Sequence, residues 1–298
     1  MGTLTPLTVH LRKPKTDMLR RTLLTFAALL SPVVLNAQAQ NADWHKAFPA
    51  FRIAGNLYYA GTADLAIFVI HTLQGDILIN TNSPEDAPAL KKSMQQVGLK
   101  YSDITYLLTS HAHSEHDSAL REIKKETGAT VLVMQDDASD VESIAPGRPG
   151  IHVDRVLRDG YTVELAGVKL IAHHTPGHTK GCTTWTLRVL ENNTVMNVVI
   201  VGGATVEAGT LLVNNKRYPT IAPDYLKTFS ILKALPCDIF LGAHGEYFGL
   251  KDKYARLKAG NANAFVDPNG FKTWVATKEQ EFLTEWDRQK KSPGAPKK

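Results

Sequence analysis

The sequence Ile104-Thr105-Tyr106-Leu107-Leu108-Thr109-Ser110-His111-Ala112-His113-Ser114-Glu115-His116 carries the most information in this chain. An apolar run is followed by three imidazoles and one carboxylate within six residues. Imidazole nitrogen and carboxylate oxygen are ligands that suit zinc and its neighbours. Because a strand that ends in such a cluster directs several side chains at one point, the stretch predicts a metal site. The alternative interpretation is a polar loop of solvated histidines.

Two later stretches repeat this layout. The apolar run from Val168 to Ala172 leads to Pro176-Gly177-His178-Thr179, and the run from Cys237 to Ala243 leads to His244-Gly245. In open α/β sheets, ligand sites gather at the carboxyl ends of strands. Gly177 and Gly245 are expected to allow sharp turns there. Three such strand ends are therefore expected to converge on one site.

These residues resemble the metallo-β-lactamase superfamily, and most closely the metallo-β-lactamases of subclass B3. The histidine run, Pro176-Gly177-His178-Thr179 and the late Gly-x-His at His244 carry the superfamily resemblance. The subclass resemblance rests on residues 53–62, residues 175–185, Arg217-Tyr218-Pro219 and residues 234–238. The resemblance covers roughly Trp44 to Ala259 and implies a single-domain αββα sandwich. Strand and helix patterns alternate along the sequence, which indicates an α/β fold and agrees with such a sandwich.

The resemblance implies two Zn²⁺ ions per chain. It assigns His111, His113 and His178 to the first zinc, and Glu115, His116 and His244 to the second. Zinc lowers the pKa of bound water to about 7, so the implied activity is hydrolysis of the β-lactam amide bond by a metal-bound hydroxide, which confers antibiotic resistance. The expected catalytic residue is Glu115, which would orient the nucleophile and shuttle a proton. The expected substrate-binding residues are Trp44, Thr205 and Tyr218.

Glu115 departs from the family pattern, which has Asp at this position. The longer side chain either shifts the second metal or needs additional space. We hypothesise that Ala204 and the adjoining Gly202-Gly203 provide that space. A weakened second site, with a mononuclear or inactive protein, is the alternative.

The first 39 residues are typical of an export signal. Arg20-Arg21 precedes an apolar stretch, and Ala37-Gln38-Ala39 offers a cleavage site. A retained N-terminal anchor is the alternative, and translation from Met18 would give a signal of more usual length. Cleavage predicts a periplasmic or secreted protein without a membrane segment.

Charge and cysteine content narrow the partners. The chain carries a net charge of +5, and the predicted signal accounts for most of it. The remainder has no basic face that would indicate nucleic-acid binding. The resemblance implies that small-molecule β-lactam antibiotics are the substrates, and we expect a monomer. The two cysteines, Cys182 and Cys237, are expected to be unpaired thiols, with a bridge between them as the alternative. Residues 40–287 are the predicted catalytic domain, and 288–298 a basic flexible tail.

Two other functions stay open. Another exported hydrolase of the superfamily, acting on a lactone or a thioester, fits the same ligands. The other alternative is a non-enzymatic zinc-binding protein, which only the unusual Glu115 supports.

Overall fold

Two β-sheets form the framework of the chain in the computed structural model, which describes residues 1–2, 42–144 and 149–292. The chain divides into the units Met1–Ala42 and Asp43–Lys298, and the sheets lie in the second. The predicted signal falls almost entirely outside the described residues, as does the end of the predicted tail, residues 293–298. No helix among the described residues is both long enough and apolar enough to cross a membrane.

The first sheet has seven strands in chain order. Neighbours are antiparallel from β1 to β4 and parallel from β4 to β7. Its strands are β1 Phe51–Ala54, β2 Leu57–Tyr59, β3 Phe68–Thr72, β4 Gly75–Ile79, β5 Ile104–Leu108, β6 Thr130–Met134 and β7 Arg155–Leu157.

The second sheet has five strands in the order β12-β11-β10-β9-β8. The pairs are antiparallel except β11 and β12, so β9, β11 and β12 all run in one direction. Its strands are β8 Tyr161–Leu165, β9 Val168–His174, β10 Thr183–Glu191, β11 Thr194–Val201 and β12 Ile239–Gly242.

Helices cover the sheets. In chain order the α-helices with defined bounds are α1 Ala87–Gln96, α2 Ser114–Asp117, α3 Leu120–Thr127, α4 Gln135–Glu142, α5 Ile221–Ala234, α6 Leu250–Lys258 and α7 Pro268–Lys291. Local signals account for several ends. Gly128 ends α3 in a left-handed conformation at φ 75°, and Asp267 begins α7 by accepting a hydrogen bond from the Gly270 amide.

Alternating side chains of the first sheet enter two different hydrophobic cores. Phe68 and Ile70 belong to a core shared with the second sheet, whereas Ile67 and Val69 belong to one shared with α1 and α3. Successive strand residues point to opposite faces, so the first sheet is buried on both sides. Together with α5 and α7, whose Phe229 and Phe282 join the shared core, the layers confirm the predicted α/β sandwich.

Several local expectations were wrong. The sequence predicts a hairpin of strands over 65–70 and 75–80 around Gly75-Asp76, whereas the β3–β4 turn lies at Leu73-Gln74. The predicted flexible tail begins too early, because α7 continues to Lys291. Gln289 of this helix is buried and donates a hydrogen bond to the Thr210 carbonyl.

Candidate metal centre

The carboxyl ends of strands from both sheets meet along one edge. β5 leads into the histidine run, and β9, β11 and β12 lead into His178, Gly202-Gly203 and His244. Two hydrogen bonds join the sheets here: the Thr183 amide donates to the Ser110 carbonyl at 2.7 Å, and the Trp185 indole donates to the Thr109 carbonyl at 3.0 Å. The predicted convergence of three strand ends is therefore present.

One cluster consists of His111, His113 and His178. One potential ligand atom from each lies within 4.8 Å of the others. The ring of His111 is 4.7 Å from that of His113 and 4.5 Å from that of His178. His111 Nδ1 contacts Ser110 Oγ at 3.1 Å, and His178 Nδ1 contacts the Thr205 carbonyl at 3.0 Å. When these Nδ1 atoms carry the proton, the Nε2 lone pairs are free to bind a cation.

The other cluster involves Glu115, His116 and His244. His116 Nε2 and His244 Nε2 are 3.2 Å apart. A carboxylate oxygen of Glu115 lies within 4.8 Å of ligand atoms of His111 and His116, and Glu115 Oε1 is 3.6 Å from His113 Nδ1. Glu115 therefore lies beside both clusters, and His244 joins the second through its contact with His116.

Burial keeps the central imidazoles neutral. It lowers the pKa of His111 and of His116 well below 6.5, and the neighbouring imidazoles lower it further. His111 Nε2, the ring nitrogen opposite the Ser110 contact, is buried without a hydrogen-bond partner. A buried polar atom without a partner is costly, and neutral imidazole is the form that binds zinc. The donor set therefore fits zinc.

Asp137 supports the first cluster by hydrogen bonds to the loops that carry its histidines. Its carboxylate accepts hydrogen bonds from the Ala112 amide at 2.9 Å, the Thr179 hydroxyl at 2.6 Å and the Gly181 amide at 2.6 Å. Burial raises the pKa of Asp137, and these donors partly offset the rise. Asp137 thereby ties the loop after β5 to the loop after β9. Asp137 follows β6, which ends at the same edge, so its position after an apolar strand could have indicated this role from the sequence.

Gly202 and Gly203 serve the first cluster. A Cβ on Gly203 would lie 2.7 Å from His178 Cδ2, and one on Gly202 would lie 2.3 Å from the Thr183 carbonyl. Ala204 is buried in the hydrophobic core. His178 and the Thr183 backbone lie beside these two glycines, and the hypothesis that Ala204 and the glycines provide space for Glu115 stays a prediction.

The two turn glycines differ. Gly177 has φ 131°, and a Cβ there would lie 2.7 Å from the Tyr225 ring, so the expected sharp turn is present. Gly245 lacks a positive φ. A Cβ at Gly245 would lie 2.8 Å from Leu250 Cδ2 and 3.1 Å from Leu250 Cβ, so the Leu250 side chain would have to shift.

The predicted substrate residues have different surroundings. The half-buried Trp44 ring is 5.9 Å from that of His244. Thr205 supports His178 through its carbonyl, which also accepts a hydrogen bond from Tyr225. The Tyr218 ring lies beneath the Lys180 ammonium at 5.8 Å. Only Trp44 and Thr205 thus contact candidate metal ligands directly.

Both cysteines are free thiols, as predicted. Cys182 is fully buried, and Cys237 is half-buried. Burial raises the pKa of the Cys237 thiol to about 12. Neither residue belongs to a candidate ligand group among the described residues.

Comparison with known proteins identifies the superfamily of the chain. The family model of the metallo-β-lactamase superfamily matches residues 65–244. The structure resembles the FEZ-1 metallo-β-lactamase from Legionella gormanii, with 43% sequence identity, a TM-score of 0.81 and coverage of 82% of this chain and 98% of that chain. It also resembles the class B3 di-zinc metallo-β-lactamase LRA-12 from an Alaskan soil metagenome, with 33% identity, a TM-score of 0.77 and coverage of 82% and 96%.

Curated relatives match over shorter segments. A hydroxyacylglutathione hydrolase of Rhizobium meliloti is 28% identical over 123 residues, which cover 40% of this chain and 44% of that protein. A probable metallo-hydrolase of Burkholderia pseudomallei is 32% identical over 90 residues, which cover 28% of this chain and 31% of that protein. The chain thus spans less than half the length of these relatives.

Proposed function

Because the chain belongs to the metallo-β-lactamase superfamily, we propose that it is a zinc-dependent β-lactamase that hydrolyses the amide bond of β-lactam antibiotics. Similarity to solved β-lactamases extends over nearly their whole length, whereas the curated hydroxyacylglutathione hydrolases match over 38% to 65% of theirs. The observation that carries the proposal is the pair of ligand clusters, one beside the other at a single edge.

The two clusters support a place for each ligand in the proposal. His111, His113 and His178 would hold one zinc ion, and Glu115, His116 and His244 the other. Bound zinc would lower the pKa of water and polarise the lactam carbonyl. The surrounding residues exclude bulk water from His111 and His116, which are 1% and 0% exposed.

Glu115 is the proposed catalytic residue. Its side chain is 22% exposed and therefore open to substrate, unlike the imidazoles of His111 and His116. A carboxylate in this place can orient the attacking water, accept its proton and pass that proton to the lactam nitrogen as the amide bond breaks. Trp44 and Tyr218 are proposed to line the substrate groove, with Thr205 and Lys180 towards the substrate carboxylate.

The same proposal covers the cellular role. Cleavage after Ala39 would release a monomeric enzyme, whose catalytic domain includes α7 to its end at Lys291, into the periplasm. There it would destroy antibiotics before they reach their targets and confer resistance. Expression of the full chain in a susceptible bacterium should raise the inhibitory concentration of a β-lactam, and expression of residues 40–298 alone should not.

A second candidate is thioester hydrolysis, which is the activity named for the relative from Rhizobium meliloti. Purified protein with two equivalents of zinc should be assayed in parallel on a chromogenic cephalosporin, an acyl lactone and an acylglutathione thioester. We expect cephalosporin turnover that EDTA abolishes and that zinc restores. Glu115→Gln should lose most of this activity. Turnover of the thioester or lactone without the cephalosporin would refute the β-lactamase assignment.

A further inference from the structure

His244 is the candidate ligand whose second nitrogen meets a carboxylate. Its Nδ1 lies 2.8 Å from Asp64 Oδ2. The other carboxylate oxygen, Oδ1, accepts a hydrogen bond from the Glu246 amide at 3.0 Å. The Gly245 amide donates to the Asp64 carbonyl at 2.6 Å. Asp64 therefore holds the turn that follows β12 through three contacts, one each to the consecutive residues His244, Gly245 and Glu246.

These contacts fix which nitrogen of His244 carries the proton. An ionised carboxylate only accepts hydrogen bonds, so His244 Nδ1 must be the donor. A neutral imidazole then keeps its lone pair on Nε2, the atom that lies 3.2 Å from His116 Nε2. Asp64 thus orients His244 so that the free lone pair on Nε2 lies at the second ligand cluster.

The ring of His244 is held on its other sides by aromatic residues. Trp44 lies 5.9 Å away and Tyr247 lies 5.1 Å away, measured between ring centroids. In the first cluster, the hydrogen-bond partners of His111 Nδ1 and His178 Nδ1 are neutral oxygens, the Ser110 hydroxyl and the Thr205 carbonyl, and the Glu207 carboxylate is farther from His178 Nδ1, at 3.8 Å. The carboxylate contact at 2.8 Å is therefore made to a residue of the second cluster, where Glu115 supplies the longer ligand.

We propose that Asp64 is a positioning residue that sets the tautomer and orientation of His244 and thereby controls metal occupancy of the second cluster. This inference rests on the two-zinc site assigned under the proposed function. A carboxylate that accepts from a ligand imidazole fixes the ring and raises its basicity. The sequence separation of 180 residues between the partners explains why no local pattern indicates this pair.

The test compares Asp64→Asn with wild type. Asn has one acceptor oxygen where Asp64 uses two. If that oxygen serves the Glu246 amide, the NH₂ group faces His244 Nδ1 and forces the proton onto Nε2. If it serves His244, the Glu246 hydrogen bond is lost. We expect wild type to bind two zinc ions, and the variant to bind its second zinc about 10- to 100-fold more weakly, with the first site unchanged.

Asp76→Asn is the matched control. Asp76 Oδ1 lies 2.7 Å from His71 Nδ1, which is the same type of pair, near the start of β4 and away from the strand ends that form the site. Zinc should be counted by elemental analysis, and its affinity measured against a competing chelator. Asp64→Asn with two zincs at wild-type affinity would overturn the proposal, as would an equal loss of zinc in Asp76→Asn.

A second measurement needs no variant. Nitrogen-15 NMR of metal-free wild type should show His244 protonated on Nδ1 and unprotonated on Nε2. The opposite tautomer would overturn the inference even if Asp64→Asn fails to fold. These readouts are independent of catalysis. A wild type that holds two zincs without cephalosporin turnover would refute the proposed activity and leave the role of Asp64 standing.

Discussion

Substitution of Gly203 by Ala should damage the first ligand cluster without unfolding the protein. Gly203 follows β11, and its added Cβ would lie 2.7 Å from His178 Cδ2 and 2.9 Å from Cγ. Ordinary van der Waals contact begins at 3.4 Å, so the ring must move by about 0.7 Å. The His178 side chain is 3% exposed and bonded to the Thr205 carbonyl, so it cannot move freely.

Two magnitudes follow from this displacement. Overpacking of a filled site costs about 1–3 kcal/mol of unfolding free energy, which is tolerable for a domain of ordinary stability. A misplacement of about 1 Å at a reacting centre can cost about 100-fold in rate, so we expect kcat/KM to fall about 10- to 100-fold. The first site should also bind zinc more weakly.

The assay is cephalosporin hydrolysis at saturating and limiting zinc, with thermal unfolding in parallel. Gly209→Ala is the control, because Gly209 has φ 86° and nothing lies within 4 Å of its Cβ position. It therefore adds backbone strain without touching His178. A folded Gly203→Ala enzyme with kcat/KM within about twofold of wild type would refute the reasoning, since a 0.7 Å displacement cannot be without effect at a metal ligand.

Two further predictions concern stability. Asp137→Asn replaces one acceptor oxygen by an amide NH₂ that would face a donor such as the Gly181 amide. The free energy of unfolding, measured with urea, should therefore fall by about 1–3 kcal/mol. An unchanged unfolding midpoint would contradict the stabilising role of the Asp137 hydrogen bonds. Asp267→Asn should lower the free energy of unfolding by about 2–4 kcal/mol. Lys253 Nζ is buried 3.0 Å from Asp267 and 5.6 Å from the Phe240 ring, and without the Asp267 carboxylate it would keep an unpaired charge. Adding Lys253→Met should recover most of that loss, and no recovery would argue against the ion pair.

The sequence predicts best where chemistry and periodicity coincide. Short apolar runs in the sequence predict strands over 104–108 and 130–134, and the structure has both strands with these bounds. The sequence also predicts a helix over 225–235, whereas helix α5 begins four residues earlier, at Ile221. The ligand histidines were recognisable because three imidazoles in six residues have few structural uses.

Elements stabilised by distant contacts were not predicted. Helix α4 is polar, with Asp136, Asp137 and Asp140 among its eight residues, and the loop after β9 satisfies the buried Asp137 carboxylate. The β3–β4 turn exposes Leu73, which is 98% accessible, so hydrophobicity placed the turn too late. Strands β1 and β2 have only four and three residues, and their burial depends on aromatic contacts such as Phe51 with Phe265.

The two sheets contribute to both clusters, and this would link metal binding to folding. His111 and His116 follow β5 of the first sheet, whereas His178 and His244 follow β9 and β12 of the second. Neither cluster can assemble until the sheets pack together, so bound zinc would stabilise the packed state over the unfolded chain. The link between Asp64, near the start of the first sheet, and His244 belongs to the same junction. Zinc should therefore raise the unfolding temperature through both sites, and loss of the Asp64 contact should remove the part that the second site contributes.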